Sequence, residues 1–216
     1  MTYMFLTKYS SDERSKATVL PEGNGILIFK SELDYISRCI LDRKDIETGG
    51  QLFGYWSEDG RPVVMYAIGP GPMANHQMTF FNQDVDYLVK VGRAIKENYG
   101  LHHIGEWHSH HQLGLAKPSG HDANTMVSTI REKNLGQFLL CIGNCTRSAS
   151  SLKGFLCGGK GVVSVSDDKL HITRGQCIHR AHHGLGFFAT NPPSVNGAAL
   201  FHEFEIIDLF QTILFF

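Results

Sequence analysis

Between Asp84 and Tyr99 the apolar positions Val85, Leu88, Val89, Gly92, Ile95 and Tyr99 recur at helical spacing. Gly100 then stands where a helix C-cap would, and an apolar run from Leu101 to Trp107 begins at once. The same alternation recurs along the chain. A short apolar run, Gly25 to Phe29, leads into a helical pattern to about Leu41, for which Ser31 is the expected N-cap. Gly49 to Trp56 and Pro62 to Ile68 read as paired strands around Glu58-Asp59-Gly60. A second amphipathic segment, about His121 to Lys133, is followed by four strand-like runs from Phe138 to Thr173. Strands outnumber helices and the long helices sit between strands, which predicts an α/β or α+β fold: a curved, mixed β-sheet flanked by helices.

Composition limits the function classes. The chain has 216 residues, with 20 basic against 21 acidic and a formal net charge of −1. This length fits one domain or one domain with an appendage. The charge balance argues against nucleic acid and against an electrostatic membrane partner. No apolar stretch is long and uncharged enough to span a bilayer, and Met1 to Lys8 lacks the basic-then-apolar order of a secretory signal. The five cysteines are odd in number and form no Cys-x-x-Cys pair, so a reducing, cytoplasmic setting is expected. After about Gly175 the chain turns rich in His, Gly and Pro and then apolar. The expected division is therefore an N-terminal extension over 1–22, a domain over 23–175 and a C-terminal extension over 176–216.

Of twelve histidines, seven fall between His76 and His121. Glu106-Trp107-His108-Ser109-His110 leaves a predicted strand, and residues two apart on a strand share a face, so His108 and His110 converge while Ser109 faces away. Pro118-Ser119-Gly120-His121-Asp122 opens the next helix with the Ser-x-x-Asp spacing of a capping box, which needs no function to explain it. The same helix start can aim Asp122 back at the two imidazoles. Two neutral imidazoles and a carboxylate leave a tetrahedral Zn²⁺ one position open to water, as catalytic zinc sites do. His111 and His121 remain rival ligands by position.

Other metal and phosphate signatures fail. His202-Glu203 is not completed as His-Glu-x-x-His, because Ile206 stands at the last position. Gly158-Gly159-Lys160-Gly161 lacks the length and the Ser/Thr of a phosphate loop. Cys177 with His179, His182 and His183 is a poor second zinc site, and Cys141, Cys145 and Cys157 read as small core residues.

Glu47-Thr48-Gly49-Gly50 before a strand, then His108-Ser109-His110, then Ser119-x-x-Asp122, resembles the signature of the JAB/MPN (JAMM) metalloprotease domain. The resemblance spans about Ile26 to Thr173 and looks most like the prokaryotic-type, deubiquitinase-like members. It implies an MPN/cytidine-deaminase-like architecture, zinc held by His108, His110 and Asp122, Glu47 as general acid/base on the zinc-activated water, and Ser119 as donor to the oxyanion. Eleven residues separate His110 from Asp122, one more than the family usually has. The implied substrate is the C-terminal tail of ubiquitin or a ubiquitin-like protein, cleaved at an isopeptide or peptide bond and lying along a sheet edge as an added strand. E1-like and E2-like proteins are the implied partners. Trimming of a sulfur-carrier protein, or a non-catalytic MPN scaffold, are the alternative readings.

Overall fold

A computed structural model of the protein describes residues 25–78 and 81–174. The expected extensions over 1–22 and 176–216, with the tail histidines and Cys177, lie outside the described residues. Strand β1 (Ile26–Phe29) runs without a break into helix α1 (Lys30–Leu41), which leads to β2 (Gly49–Trp56) and β3 (Pro62–Ala67). Two short strands follow, β4 (Asn75–His76) and β5 (Phe81–Asn82), then helix α2 (Val85–Tyr99) and strand β6 (His102–Ser109). A single 3₁₀ turn (His111–Leu113) precedes helix α3 (Gly120–Glu132), and β7 (Gln137–Cys145), β8 (Ser150–Gly158), β9 (Gly161–Ser164) and β10 (Leu170–Thr173) complete the fold.

Eight strands form one sheet in the order β10-β1-β3-β2-β6-β7-β8-β9, while β4 and β5 pair separately. The sheet is mixed: β1 is parallel to both β10 and β3, β6 is parallel to β7, and the remaining pairs are antiparallel. Both faces are covered. Along β7 successive side chains alternate, so Leu139 and Cys141 join the core under α1 while Phe138, Leu140 and Ile142 join the core under α3. Helix α2 buries Leu88, Val91 and Ile95 against Phe53, Tyr66 and Ile68. The expected α+β class with a mixed, helix-flanked sheet is what the chain adopts.

Helix ends follow the local chemistry. Asp84 caps α2 by accepting the Tyr87 N–H, and Gly100 closes that helix in the left-handed region at φ 67°. Ser31 does not cap α1. The helix starts straight from β1 with Phe29 at the N-cap, and the Ser31 hydroxyl instead donates to Glu32, whose buried carboxylate also accepts the Ala67 N–H at 2.8 Å. Glu32 thereby ties the first turn of α1 to the end of β3.

Candidate metal centre

The register of β6 on β7 pairs Glu106 with Leu140 and His108 with Ile142, which places both β6 side chains on the α3 face of the sheet. Trp107 points the other way into the core, its indole N–H donating to the Ile68 carbonyl at 3.0 Å. Ser109 also turns from the site. Its hydroxyl accepts the Thr48 N–H at 3.1 Å and its own N–H donates to the Thr48 carbonyl at 2.7 Å, so the Glu47-Thr48 segment is clamped to the end of β6. Gly49 makes that approach sterically feasible, since a Cβ there would lie 2.6 Å from the Trp107 carbonyl oxygen.

His110 is the first residue past the strand, held by its N–H to the Gly143 carbonyl at 2.8 Å. Its Nδ1 donates to the Leu115 carbonyl at 2.7 Å, and the same oxygen accepts from Asn144 Nδ2 at 3.2 Å. That bond fixes the tautomer and leaves the Nε2 lone pair for a ligand, the usual outer support of a metal-binding imidazole. His108 Nε2 and His110 Nε2 lie 3.2 Å apart, and Asp122 Oδ2 is 3.8 Å from each. An ion with four ligands at about 2.0–2.1 Å separates its ligand atoms by roughly 3.3 Å. The three groups therefore fit one small cation with little adjustment. Burial pushes His108 down to about 4, with Asp122 opposing and His110 adding to the shift, so the ring is neutral and able to ligate at physiological pH.

Asp122 reaches this position through its capping box. Its Oδ2 accepts the Ser119 N–H at 2.7 Å while its N–H donates to Ser119 Oγ at 3.1 Å. The structural and the chemical readings of Ser-x-x-Asp hold together here, because the oxygen that closes the box is the one facing both imidazoles. Ser119 Oγ accepts within the cap and so keeps its own O–H for another acceptor. The extra loop residue leaves this arrangement intact. Of the two rival ligands, His111 is drawn away at a left-handed φ of 37° and bonds the Met78 carbonyl through Nε2 at 2.9 Å. His121 is exposed and stands outside the three-residue cluster.

The cluster opens on a cavity of about 360 Å³ that Glu47, Ser119, Gln83 and Glu106 also line, with Leu113 and Leu115 at its apolar rim. Burial raises the Glu47 carboxyl, and Asp122 adds to this while His110 lowers it. The five residues expected at the site, Glu47, His108, His110, Ser119 and Asp122, thus border one cavity. Two wall residues were not anticipated. Glu106 precedes His108 by two on the same strand, a spacing that was readable, and burial lifts its carboxyl to about 8. Gln83 comes from the β5–α2 junction and carried no local signal.

No known protein-family profile matches the chain. A protein of Sinorhizobium fredii, strain NBRC 101917 / NGR234, named "Probable metalloprotease y4qB", is 29% identical over 89 residues, which is 40% of this chain and 54% of that protein. The chain thus spans about half the length of this relative. Among solved structures, that of protein DSY2949 from Desulfitobacterium hafniense aligns with a TM-score of 0.49 and 19% identity, over 73% of this chain and 99% of that one. A distant, partial relative named as a probable metalloprotease and a His-His-Asp cluster fit for an ion are mutually consistent. Among the described residues, no helix is long and apolar enough to cross a membrane.

Proposed function

We propose that the protein is a zinc-dependent (iso)peptidase of JAB/MPN (JAMM) type that hydrolyses the amide bond at the C-terminal tail of ubiquitin or a ubiquitin-like protein. The observation that carries this reading is the convergence of His108, His110 and Asp122 at one edge of a cavity that Glu47 and Ser119 also line. Zn²⁺ held by those three residues would supply Lewis acidity, lowering the pKa of water and polarising a carbonyl. Glu47 takes the proton from the attacking water and delivers it to the departing amine, a role suited to a carboxyl whose pKa burial holds above its ordinary value. Ser119 donates its free O–H to the carbonyl oxygen as negative charge develops there. The apolar rim at Leu113 and Leu115 excludes water around an extended tail.

Among the described residues the edges of the large sheet are β9 and β10, whereas His108 lies on interior strand β6. A tail that reaches the cavity meets the β4–β5 pair instead, where the Glu47 N–H already bonds the Gln77 carbonyl at 2.9 Å and Phe81 lines the wall. The metalloprotease name of the partial relative supports the reaction class. Partnership with E1-like and E2-like proteins and a cytoplasmic setting belong to the same proposal.

Metal analysis of the purified chain alongside cleavage of a linear ubiquitin fusion and ubiquitin-like fusions tests it. The native protein is expected to hold one zinc and to cleave. Glu47→Gln is expected to keep the metal and lose about 10²–10⁴-fold in turnover. A chain without bound metal, or a zinc-loaded chain inert towards every fusion, would leave only a scaffold role.

A further inference from the structure

Behind the cavity wall runs a chain of three buried polar side chains that the proposed chemistry does not use. Gln51 on β2 and His103 on β6 are 1% and 6% exposed, and Gln83 at the β5–α2 junction is 8% exposed. His103 Nε2 bonds Gln51 Oε1, and Gln51 Nε2 donates to Gln83 Oε1. The His103 ring is wedged between Phe53 and Phe138, with ring centres 5.5 and 5.2 Å away. Burial pushes its pKa down to about 4 against an opposing backbone hydrogen bond with Gly105, so it is neutral, and with Gln51 Oε1 facing it Nε2 is the donor. The bonds then run from His103 Nε2 to Gln51 Oε1 and from Gln51 Nε2 to Gln83 Oε1. Gln83 Oε1 is consumed by Gln51, so the group Gln83 has left to offer the cavity it lines is its amide N–H pair.

An apolar core needs no such chain, because three buried polar side chains replaceable by hydrocarbon of like shape gain little net stability from one another. A substrate does. An extended peptide brings carbonyls that alternate between its two sides, and each one removed from water needs a donor. Among the neutral donors on the cavity wall, Ser119 and Thr125 come from the α3 side and the Glu106 carboxyl, which burial keeps protonated, comes from β6, while Glu47 and Asp122 are acceptors when ionised. Gln83 supplies a braced donor from a different element.

We propose that Gln83 is a substrate-binding residue whose side-chain amide donates to a main-chain carbonyl of an extended peptide next to the scissile bond, with Gln51 and His103 as the positioning residues that orient it. This rests on the peptidase reading above. The test uses the full chain in the zinc-loaded Glu47→Gln form, with a fluorescein-labelled hexapeptide ending in Gly-Gly followed by anisotropy, and a linear ubiquitin fusion for turnover by the otherwise native enzyme. Gln83→Glu keeps an acceptor for Gln51 and removes only the donors, and Gln83→Met removes them without adding charge. Both are expected to raise the peptide Kd and the KM about tenfold and to leave kcat within about twofold, as loss of uniform binding does. Gln51→Leu should raise Kd severalfold in native Gln83 and add nothing to Gln83→Met, since the two act in one chain.

Unchanged peptide binding by folded Gln83→Glu overturns the proposal, and so does a loss confined to kcat. A Gln83→Glu chain that fails to fold leaves Gln83→Met and Gln51→Leu to decide on the same terms. A zinc-loaded parent that neither binds the peptide nor cleaves the fusion defeats the peptidase reading itself. A parent that does both, with variants that match it, defeats this inference alone.

Discussion

Ser119 shows how one residue serves two purposes and how they are separated. Its side chain caps α3 by accepting the Asp122 N–H, and its O–H remains for the oxyanion of the proposed reaction. Replacing a serine N-cap by alanine costs about 1 kcal/mol, by glycine only a few tenths. Thermal unfolding should therefore rank Ser119→Ala clearly below Ser119→Gly, while both variants lose about 10²-fold in kcat. Unequal stability with turnover undiminished in both variants would assign the serine to capping alone. His103 gives a second prediction of this size. Its folded pKa of about 4 lies below the ordinary histidine value of 6.5, so between these pH values the unfolded chain binds more protons and stability falls as pH falls. The full contribution, present above about pH 6.5, is roughly 3 kcal/mol lost by pH 4. In metal-free protein, His103→Gln should flatten this part of the profile, measured by denaturant melts from pH 7.5 to 4.5. The convergence of His108 and His110 was legible because an i, i+2 spacing on a strand fixes a shared face. The exclusion of His111 was not, since it depends on a left-handed backbone and a bond to Met78, far off in sequence.

At the scale of elements, the helices declared themselves where a cap and a stripe agreed: Asp84 and Gly100 bound α2, and Ser119 opens α3. Long strands read correctly for the same reason, as runs between turn residues. Strands β4 and β5 were missed because two residues carry no period, and their pairing follows from tertiary contact. The Gln51–Gln83–His103 chain was equally hidden, its partners lying 32 and 52 positions apart. The glycine pair after Glu47 was visible as a motif but its reason was not. Gly50 faces the Ile68 carbonyl and the Trp107 indole so closely that a Cβ would sit 1.8 and 2.7 Å from them, and the first of these is backbone that cannot swing aside. Gly50→Ala is expected to cost more than about 4 kcal/mol, lowering Tm by about 10 °C or more and loosening the Glu47 segment. Gly120→Ala at the start of α3 meets nothing within 4 Å and should leave Tm within about 2 °C. A mild Gly50→Ala would show that β2 can shift away from Ile68.

For the whole molecule, the question is how much of the fold depends on the ion. The three hydrophobic clusters pack α1, α2 and α3 on the sheet through side chains other than the ligands, so the layers are held without metal. The His-His-Asp cluster instead joins the end of β6 to the N-terminus of α3 across the 110–119 loop, which is otherwise tied by His110 and Asn144 bonding the Leu115 carbonyl and by His111 bonding the Met78 carbonyl. An ion bound only by the folded chain adds stability as RT ln(1 + [L]/Kd), about 4 kcal/mol at a thousandfold excess over Kd. Chelation should accordingly lower Tm by about 10 °C while leaving the far-ultraviolet circular dichroism near its original shape. Amide exchange should accelerate over residues 110–122 and stay slow in β7 and β8, because only the loop loses an anchor. Asp122→Asn would reproduce the chelated pattern, since an amide can still accept the Ser119 N–H yet brings no charge to the ion. Global unfolding on chelation would make the ion a structural keystone, and a Tm indifferent to zinc would dissolve the centre altogether.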